Sequence, residues 1–189
     1  MSKLTKKALA VALGELLQDK PLDRITIKDI TDRCGLTRNA FYYHFSDVYE
    51  LLGWMFVSSA DEILENFGKE EEWQEGFEKG ILFLQENKAA VNHICKSVSR
   101  EHLDSYLDKV VGFYALRLLR MHTARHDADE RAEHLVADFY KNAFIGVIMR
   151  WIENDMDMPA DRLAKICDIM FRGTVDAAVS SAKKVVETI

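Results

Sequence analysis

The stretch that decides the fold runs from Thr26 to Phe45 and reads TIKDITDRCGLTRNAFYYHF. Thr26 and Asp29 fit a capping box, in which the threonine hydroxyl accepts the Asp29 amide, so a short helix begins here. Asp stands where Glu is usual, which leaves the reciprocal bond open. Gly35 lies where the residue that follows a helix needs a positive φ. The first half of the stretch therefore predicts a short helix that ends in a glycine turn.

The second half predicts another short helix. Thr37 is a suitable N-cap for it, and the helix is expected from Arg38 to about Phe45. Phe41 and Phe45 are four residues apart and face inward, so the other side chains lie outside. Two short helices joined by such a turn form a helix-turn-helix, whose second helix lies in the major groove of DNA. Residue types alone leave open an ordinary helical hairpin.

The side chains outside this second helix suit contacts to DNA. Arg38 can donate to guanine O6 and N7, Asn39 can pair with an adenine edge, and aromatic rings can contact thymine methyl groups. Contacts to phosphates fix the register of a protein on the duplex. The residues of suitable type for these contacts are Thr26, Lys28, Tyr43 and His44.

The rest of the chain is also predicted to be helical. Its 189 residues, 48% of them apolar, suit one mid-sized domain or a domain with a small appended module. The 2 prolines and 9 glycines leave little material for the turns of a β-sandwich or barrel. Apolar residues recur at helical spacing, which predicts an all-α protein of about nine helices.

Hydropathy and charge indicate further what class of protein this is. No stretch approaches the roughly 20 uninterrupted apolar residues of a membrane span, and no cleavable signal pattern is present, so we expect a soluble, cytoplasmic protein. Residues 1–46 hold 8 Lys and Arg against 5 Asp and Glu, a charge of +3, and the remainder carries −9. A nucleic-acid surface at one end produces this imbalance, and so does chance variation among solvated faces.

The order of residues is more specific than their types. The relevant segments are Ile25–Ile30, Cys34–Phe45 with the aromatic run FYYHF at its end, and Asp47 with Leu51–Leu52. Together they closely resemble the DNA-binding head of TetR-family transcriptional regulators. The resemblance implies a helix-turn-helix domain at residues 1–46 and a helical effector-binding and dimerisation domain at residues 47–189.

The resemblance also implies roles for single residues. Base reading falls to Thr37, Arg38 and Asn39; contacts to phosphate or the groove wall fall to Tyr42, Tyr43 and His44; and backbone contacts fall to Thr26 and Lys28. Many members carry a lysine just after the cap of the fourth helix, where this chain has Val48. That phosphate contact is therefore lost or falls to Tyr49 or to backbone amides.

The resemblance implies a homodimer on a palindromic DNA operator, joined by the last two helices of each subunit. We expect a repressor that a small-molecule effector releases by favouring another arrangement of the two recognition helices. The alternative is a regulator whose body docks a partner protein and has no small-molecule effector. An enzyme is not expected, because the sequence lacks a glycine-rich phosphate loop and the zinc-protease and serine-hydrolase motifs.

Two further sets of residues are predicted for the body. The last two helices are apolar on two sides, so one side is expected to pack against the same subunit and the other against a partner subunit. The predicted dimer interface is Phe139, Val147, Trp151, Leu163, Ile166, Met170, Gly173 and Ala177. The family's cavity lies between the helix after Asp47 and the helices before the dimer pair. Its candidate lining is Trp54, Phe77, Phe83, Tyr106, Phe113, Tyr114 and Phe144, each of which can equally be ordinary core.

No metal or cofactor is predicted. His93 with Cys95, and His122 with His126, are pairs at short spacing, whereas a zinc site needs a third and usually a fourth ligand. The three cysteines are far apart in the sequence and fit neither a disulfide framework nor a zinc knuckle.

Overall fold

A computed structural model of the chain describes residues 2–64, 73–99, 102–105, 107–108, 111–112, 119–120 and 130–186. Every regular element within these ranges is helical, so the predicted all-α class is confirmed. Within the same ranges, no helix combines the length and the apolar character that crossing a bilayer requires.

The helices follow one another with short connections where the chain is described. They are α1 (Ser2–Asp19), α2 (Ile27–Cys34), α3 (Arg38–Tyr42), α4 (Val48–Leu64), α5 (Trp73–Glu86), α6 (Lys88–Ser97), α7 (Glu130–Glu153) and α8 (Ala160–Val186), with a 3₁₀ turn at Leu22–Arg24. The described residues between 102 and 120 are helical as well. Two sequence features lie outside the described residues: the acidic run at 70–72, whose carboxylates suit the first turn of a helix, and the polar stretch at 122–129, which is typical of a surface loop.

Backbone contacts divide the chain into two compact units. The first, the head unit, comprises residues 1–61 and 86–106, and the second, the body unit, comprises residues 62–85 and 107–189. The head unit therefore contains most of α4 and all of α6 in addition to α1, α2 and α3. The functional boundary predicted between residues 46 and 47 stays a prediction.

The head unit is built around α1. Leu9, Leu13 and Leu17 are fully buried, as their helical spacing predicts, and α1 packs against α2 and α6. Each buried leucine contributes about 1.5–3 kcal/mol to the free energy of folding relative to an exposed one. This stripe is therefore a main source of the stability of the head unit. α6 also satisfies the C-terminal end of α1, because His93 Nδ1 donates to the Leu17 carbonyl at 2.8 Å. That carbonyl is one of the last four of the helix, which have no partner within it.

In the body unit, α7 and α8 form a hairpin with an aromatic core. The ring of Phe171 on α8 lies 4.9 Å from that of Tyr140 and 6.1 Å from that of Phe144, both on α7. The Thr174 hydroxyl donates to the Met170 carbonyl, so the Tyr140 hydroxyl donates to Thr174 Oγ1, at 2.7 Å. Ring packing and this hydrogen bond both hold the two helices together.

The sequence predicts a turn at residues 155–159, with Pro159 at a helix N-terminus, and this turn joins α7 to α8. Asp155 and Met156 adopt left-handed backbone angles, with φ of 60° and 54°, and the Met156 amide donates to the Trp151 carbonyl at 2.8 Å. The Trp151 indole donates to the Met158 carbonyl at 2.8 Å. The Pro159 carbonyl accepts two amides of the first turn of α8, which confirms the predicted position of this proline at a helix start.

Candidate nucleic-acid interface

The start of α2 is fixed by a complete capping box. The Asp29 amide donates to Thr26 Oγ1 at 3.1 Å, and the Thr26 amide donates to Asp29 Oδ2 at 2.9 Å. Lys20 Nζ also contacts Asp29 Oδ2, at 2.9 Å. The Thr26 amide first, and then the Lys20 ammonium and the Thr26 hydroxyl, hold the pKa of Asp29 well below its ordinary value. The reciprocal bond that the sequence left open is therefore present.

The turn after α2 depends on one backbone conformation. Gly35 has φ of +68° and ψ of 25°, the left-handed region, and its amide donates to the Thr31 carbonyl. The Leu36 amide donates to the same carbonyl at 2.9 Å. A Cβ added at Gly35 would meet no atom within 4 Å, so the position requires glycine for its backbone angles and not for space. The predicted positive φ is confirmed.

The second helix, α3, is shorter than predicted. Thr37 caps it as expected, because Thr37 Oγ1 accepts the Ala40 amide at 3.2 Å. The helix ends at Tyr42, three residues before the expected boundary at Phe45. The His44 amide donates to the carbonyl of Phe41, three residues back, which tightens the last turn. The spacing of Phe41 and Phe45 continues through this turn, so both are buried although only Phe41 is helical.

The side chains expected to read bases lie outside. Thr37, Arg38 and Asn39 are exposed, and 59% of Tyr42 and 83% of Tyr43 are accessible. Among the described residues, none forms a hydrogen bond or ion pair with the Arg38 side chain. Its donors are therefore available to an external acceptor, as contacts to a guanine edge require.

The residues expected to contact phosphates are placed less uniformly. Thr26 is exposed, but its hydroxyl is already engaged with Asp29, because it accepts the Asp29 amide and also stabilises the ionised Asp29 carboxyl. Lys28 Nζ lies 3.2 Å from Asp32 Oδ2, and both side chains are about two-thirds exposed, so this ion pair is weak. The His44 ring lies edge-on to that of Tyr43, at 4.8 Å, and is half-buried.

Lys6 on α1, which the sequence analysis did not single out, lies beside the connection between α3 and α4. Asp47 Oδ1 accepts the Glu50 amide at 2.8 Å, which supports the predicted helix start. The Ser46 amide donates to Glu50 Oε2 at 2.6 Å and lowers the pKa of that carboxyl. Lys6, on α1, lies with Nζ 5.3 Å from the centre of the Phe45 ring. The spacing of Lys3 and Lys6 on one helix could have signalled this cationic side of α1.

The candidate cavity residues fall into both units. Trp54, in the head unit, lies 6.1 Å from the Phe45 ring. Phe77 and Phe144, in the body unit, lie 5.4 Å apart, and Phe83 in that unit is exposed. The other candidates, Tyr106, Phe113 and Tyr114, lie outside the described residues. Phe77 and Phe144 are thus brought together, next to the aromatic core of the hairpin.

The candidate interface residues on α7 and α8 are mostly exposed. Those on the outside are Phe139, Val147, Ile166, Met170, Gly173 and Ala177, with 65% of Phe139 and 64% of Met170 accessible. Trp151 and Leu163 are buried within the chain itself. Leu135 and Ile169 are also exposed and extend the same two helix faces, although the sequence prediction omitted them.

The described residues contain no cluster of three or more His, Cys, Asp or Glu side chains that could hold a metal ion. His93 is engaged with the Leu17 carbonyl, and His122 and His126 lie outside the described ranges. Burial raises the pKa of the Cys167 thiol, which disfavours the reactive thiolate.

The chain is similar to known regulatory proteins. Residues 9–53 match the family described as "Bacterial regulatory proteins, tetR family", and residues 71–173 match that described as "Transcriptional regulator C-terminal region". A curated relative is the HTH-type dhaKLM operon transcriptional activator DhaS of Lactococcus lactis subsp. lactis (strain IL1403). It is 29% identical over 87 residues, which span 46% of this chain and 46% of that protein.

Solved structures share the fold at low sequence identity. The dihydroxyacetone kinase operon activator DhaS superposes with a TM-score of 0.74 at 16% identity, over 92% of this chain and 97% of that one. NalD of Pseudomonas aeruginosa, described as the secondary repressor of the MexAB-OprM multidrug efflux pump, gives a TM-score of 0.60 at 16% identity with the same coverage. Activators and repressors therefore both occur among the similar proteins.

Proposed function

Because the chain belongs to the TetR family of bacterial transcriptional regulators, we propose that it is a cytoplasmic repressor that binds a palindromic operator as a homodimer and leaves DNA when an effector binds. In this proposal, α3 enters the major groove, and Thr37, Arg38 and Asn39 contact base edges. Thr26, Lys28, Tyr42, Tyr43 and His44 fix the register on phosphates and the groove wall.

The observation that carries the proposal is the exposed side of α3. Arg38 and Asn39 project from its first turn, where recognition helices contact bases, while Phe41 anchors the opposite side in the core. The Thr37 cap and the Gly35 turn fix the angle at which the helix leaves α2. Arg and Asn carry the donor and acceptor pairs that match guanine and adenine edges in two hydrogen bonds each.

The exposed faces of α7 and α8 support the dimer. Phe139 and Met170 are large apolar side chains that a monomer would leave in water, at a cost that a partner's matching face removes. Gly146 and Gly173 have no atom within 4 Å of an added Cβ, so another helix could approach closely at both positions. In this proposal, the two copies of α3 in the dimer contact successive turns on one side of the duplex.

Release by an effector requires a ligand with different affinities for two arrangements of the dimer. In this proposal, an apolar or aromatic ligand binds beside the aromatic group of Phe77 and Phe144. The second candidate is an activator whose body docks a partner protein. Its support is the similarity to DhaS, named an activator, and the exposure of Leu82 and Phe83 on α5, outside the proposed dimer helices.

Selection of bound DNA from a random duplex pool tests the proposal. We expect an enriched palindrome whose half-sites are about 34–36 Å apart, or a multiple of that distance. Failure to enrich any sequence would overturn it. A promoter that contains the selected site, placed before a reporter gene, then separates repression from activation. Calorimetry of the protein against apolar compounds and against partner proteins distinguishes effector release from docking.

A further inference from the structure

Several basic side chains of residues 1–46 are paired with carboxylates. Three pairs join basic and acidic side chains of residues 1–46: Lys20 with Asp29, Lys28 with Asp32, and Arg33 with Glu15. After Arg38 the sequence holds no Lys or Arg until Lys69, so neither the end of α3 nor α4 supplies a cation. Duplex DNA carries one negative charge per ~1.7 Å of its axis. Phosphates beside the C-terminal end of α3 therefore need positive charge from another helix.

α1 supplies a positive charge beside the residues that follow α3. Lys6 Nζ lies 5.3 Å from the centre of the Phe45 ring and 5.9 Å from that of Trp54. The Phe45 ring is 6.4 Å from that of His44, which is 4.8 Å from that of Tyr43. The first turns of α1 therefore lie beside the aromatic residues that follow α3. Each step in this series is a direct ring or cation–ring contact within the head unit.

Aromatic rings, and no described salt bridge, hold the Lys6 ammonium in place. An aromatic face attracts a cation through its quadrupole and carries no net charge, unlike a carboxylate partner. No carboxylate of the described residues lies within salt-bridge distance of Lys6. Glu50 attracts Lys6 at longer range, and its Oε2 is held by the Ser46 amide at 2.6 Å. Lys3 is exposed, and because it is three residues before Lys6 it neighbours it on the helix surface.

We propose that Lys3 and Lys6 form a phosphate-binding surface on α1, which contacts the DNA backbone next to the C-terminal end of α3. This surface rests on the proposed function, because its ligand is the duplex that α3 reads. Its contribution is independent of DNA sequence, since a phosphate carries no base information. The two rings position Lys6, and Lys3 extends the surface toward solvent.

The test measures binding of a fluorescent mixed-sequence duplex of about three helical turns over a series of salt concentrations. Each phosphate contact contributes about 0.9 to the slope of log affinity against log salt. The double variant Lys3→Gln/Lys6→Met is expected to reduce the slope by 1–2 and the affinity roughly tenfold at ~0.1 M salt. Lys6→Met keeps the apolar stem against the rings. The matched control is Lys96→Gln/Lys165→Gln, which removes two exposed lysines of α6 and α8 and should change neither value.

The outcomes separate the two proposals. A wild-type protein that binds with a salt-dependent affinity, and a double variant with the same slope, would overturn the α1 surface and leave the proposed function standing. A wild-type protein that binds neither this duplex nor any selected operator would overturn both. Thermal unfolding monitors the fold of the variants. If Lys6→Met unfolds, Lys3→Gln alone decides, with an expected loss of about 0.9 in slope.

Discussion

At the scale of single residues, Arg38 bears most directly on recognition of DNA sequence. It is the first residue of α3, its side chain is exposed, and no described residue engages its guanidinium. A guanidinium presents donors in a fixed fork that matches guanine O6 and N7. The same charge elsewhere on the surface would attract DNA without distinguishing one sequence from another.

Replacement of this side chain should separate specific from general binding. Arg38→Ala is expected to cost about 1–3 kcal/mol on the selected operator and to change binding to mixed-sequence DNA little. Arg162→Ala, which removes an exposed arginine at the start of α8, is the control and should leave both affinities unchanged. Equal losses on the two DNAs for Arg38→Ala would identify it as a phosphate contact.

Asp29 links the stability of the head unit to pH. Its pKa is lower in the folded protein than in the unfolded chain, so its contribution to stability is present at neutral pH and declines below about pH 4. Asp29→Asn keeps an oxygen for the Thr26 amide and removes the charge that attracts Lys20. We expect Asp29→Asn to unfold at lower urea concentration than the wild type at pH 7, with a smaller difference near pH 3.

Asp32 provides the matched control for that measurement. It lies one helical turn further along α2, and its only described partner is Lys28, in an exposed pair. Asp32→Asn should therefore unfold close to the wild type at both pH values. If the Asp29→Asn difference stayed constant with pH, the charge of Asp29 would not contribute to stability.

At the scale of elements, replacement of glycine by alanine should have opposite effects on stability in the turn after α2 and inside α1. Gly35 has a left-handed backbone, whereas Gly14 lies inside α1, and an added Cβ has open space at both positions. Gly35→Ala is expected to lower the free energy of unfolding by about 1 kcal/mol, because strain exceeds the entropy gained. Gly14→Ala is expected to raise it by about 0.5–1 kcal/mol. Chemical denaturation measures both, and the same sign for both would contradict the role of backbone angle.

At the scale of the whole molecule, the proposed function depends on two copies of the chain. One α3 contacts a single half-site, and the two copies must keep a fixed separation to match a palindrome. The exposed apolar side chains on α7 and α8 are the described features that a second copy would cover. Oligomeric state therefore has a direct consequence for affinity.

A charge placed on this face should separate the subunits. Phe139→Glu is expected to weaken the dimer by about 2–3 kcal/mol, since it removes a large apolar side chain that the second copy would cover and adds a carboxylate. Sedimentation at several concentrations measures the equilibrium, and operator affinity should fall with it. Leu4→Glu replaces another exposed apolar residue, on α1, and should leave the dimer intact. A Phe139→Glu protein that remained dimeric would place the interface elsewhere.

Local chemistry made the helix-turn-helix predictable from sequence. Thr26, Gly35 and Thr37 each act through hydrogen bonds or backbone angles within a few residues, so their roles could be read without knowing the fold. The end of α3 was missed because Phe41 and Phe45 keep helical spacing while the backbone tightens between them. Trp151 and Leu163 were expected at the interface, but apolar periodicity cannot show which of two apolar sides the chain itself covers.

The sequence by itself determined the helical class, the caps and turn of the helix-turn-helix, and the side chains that α3 exposes, because short-range interactions control each of them. Only the tertiary structure decided which neighbours α1 meets. Lys6 and Phe45 are 39 positions apart in the sequence, and no periodicity relates them. Their contact follows from the burial of the leucine stripe of α1, which fixes where the rest of that helix lies.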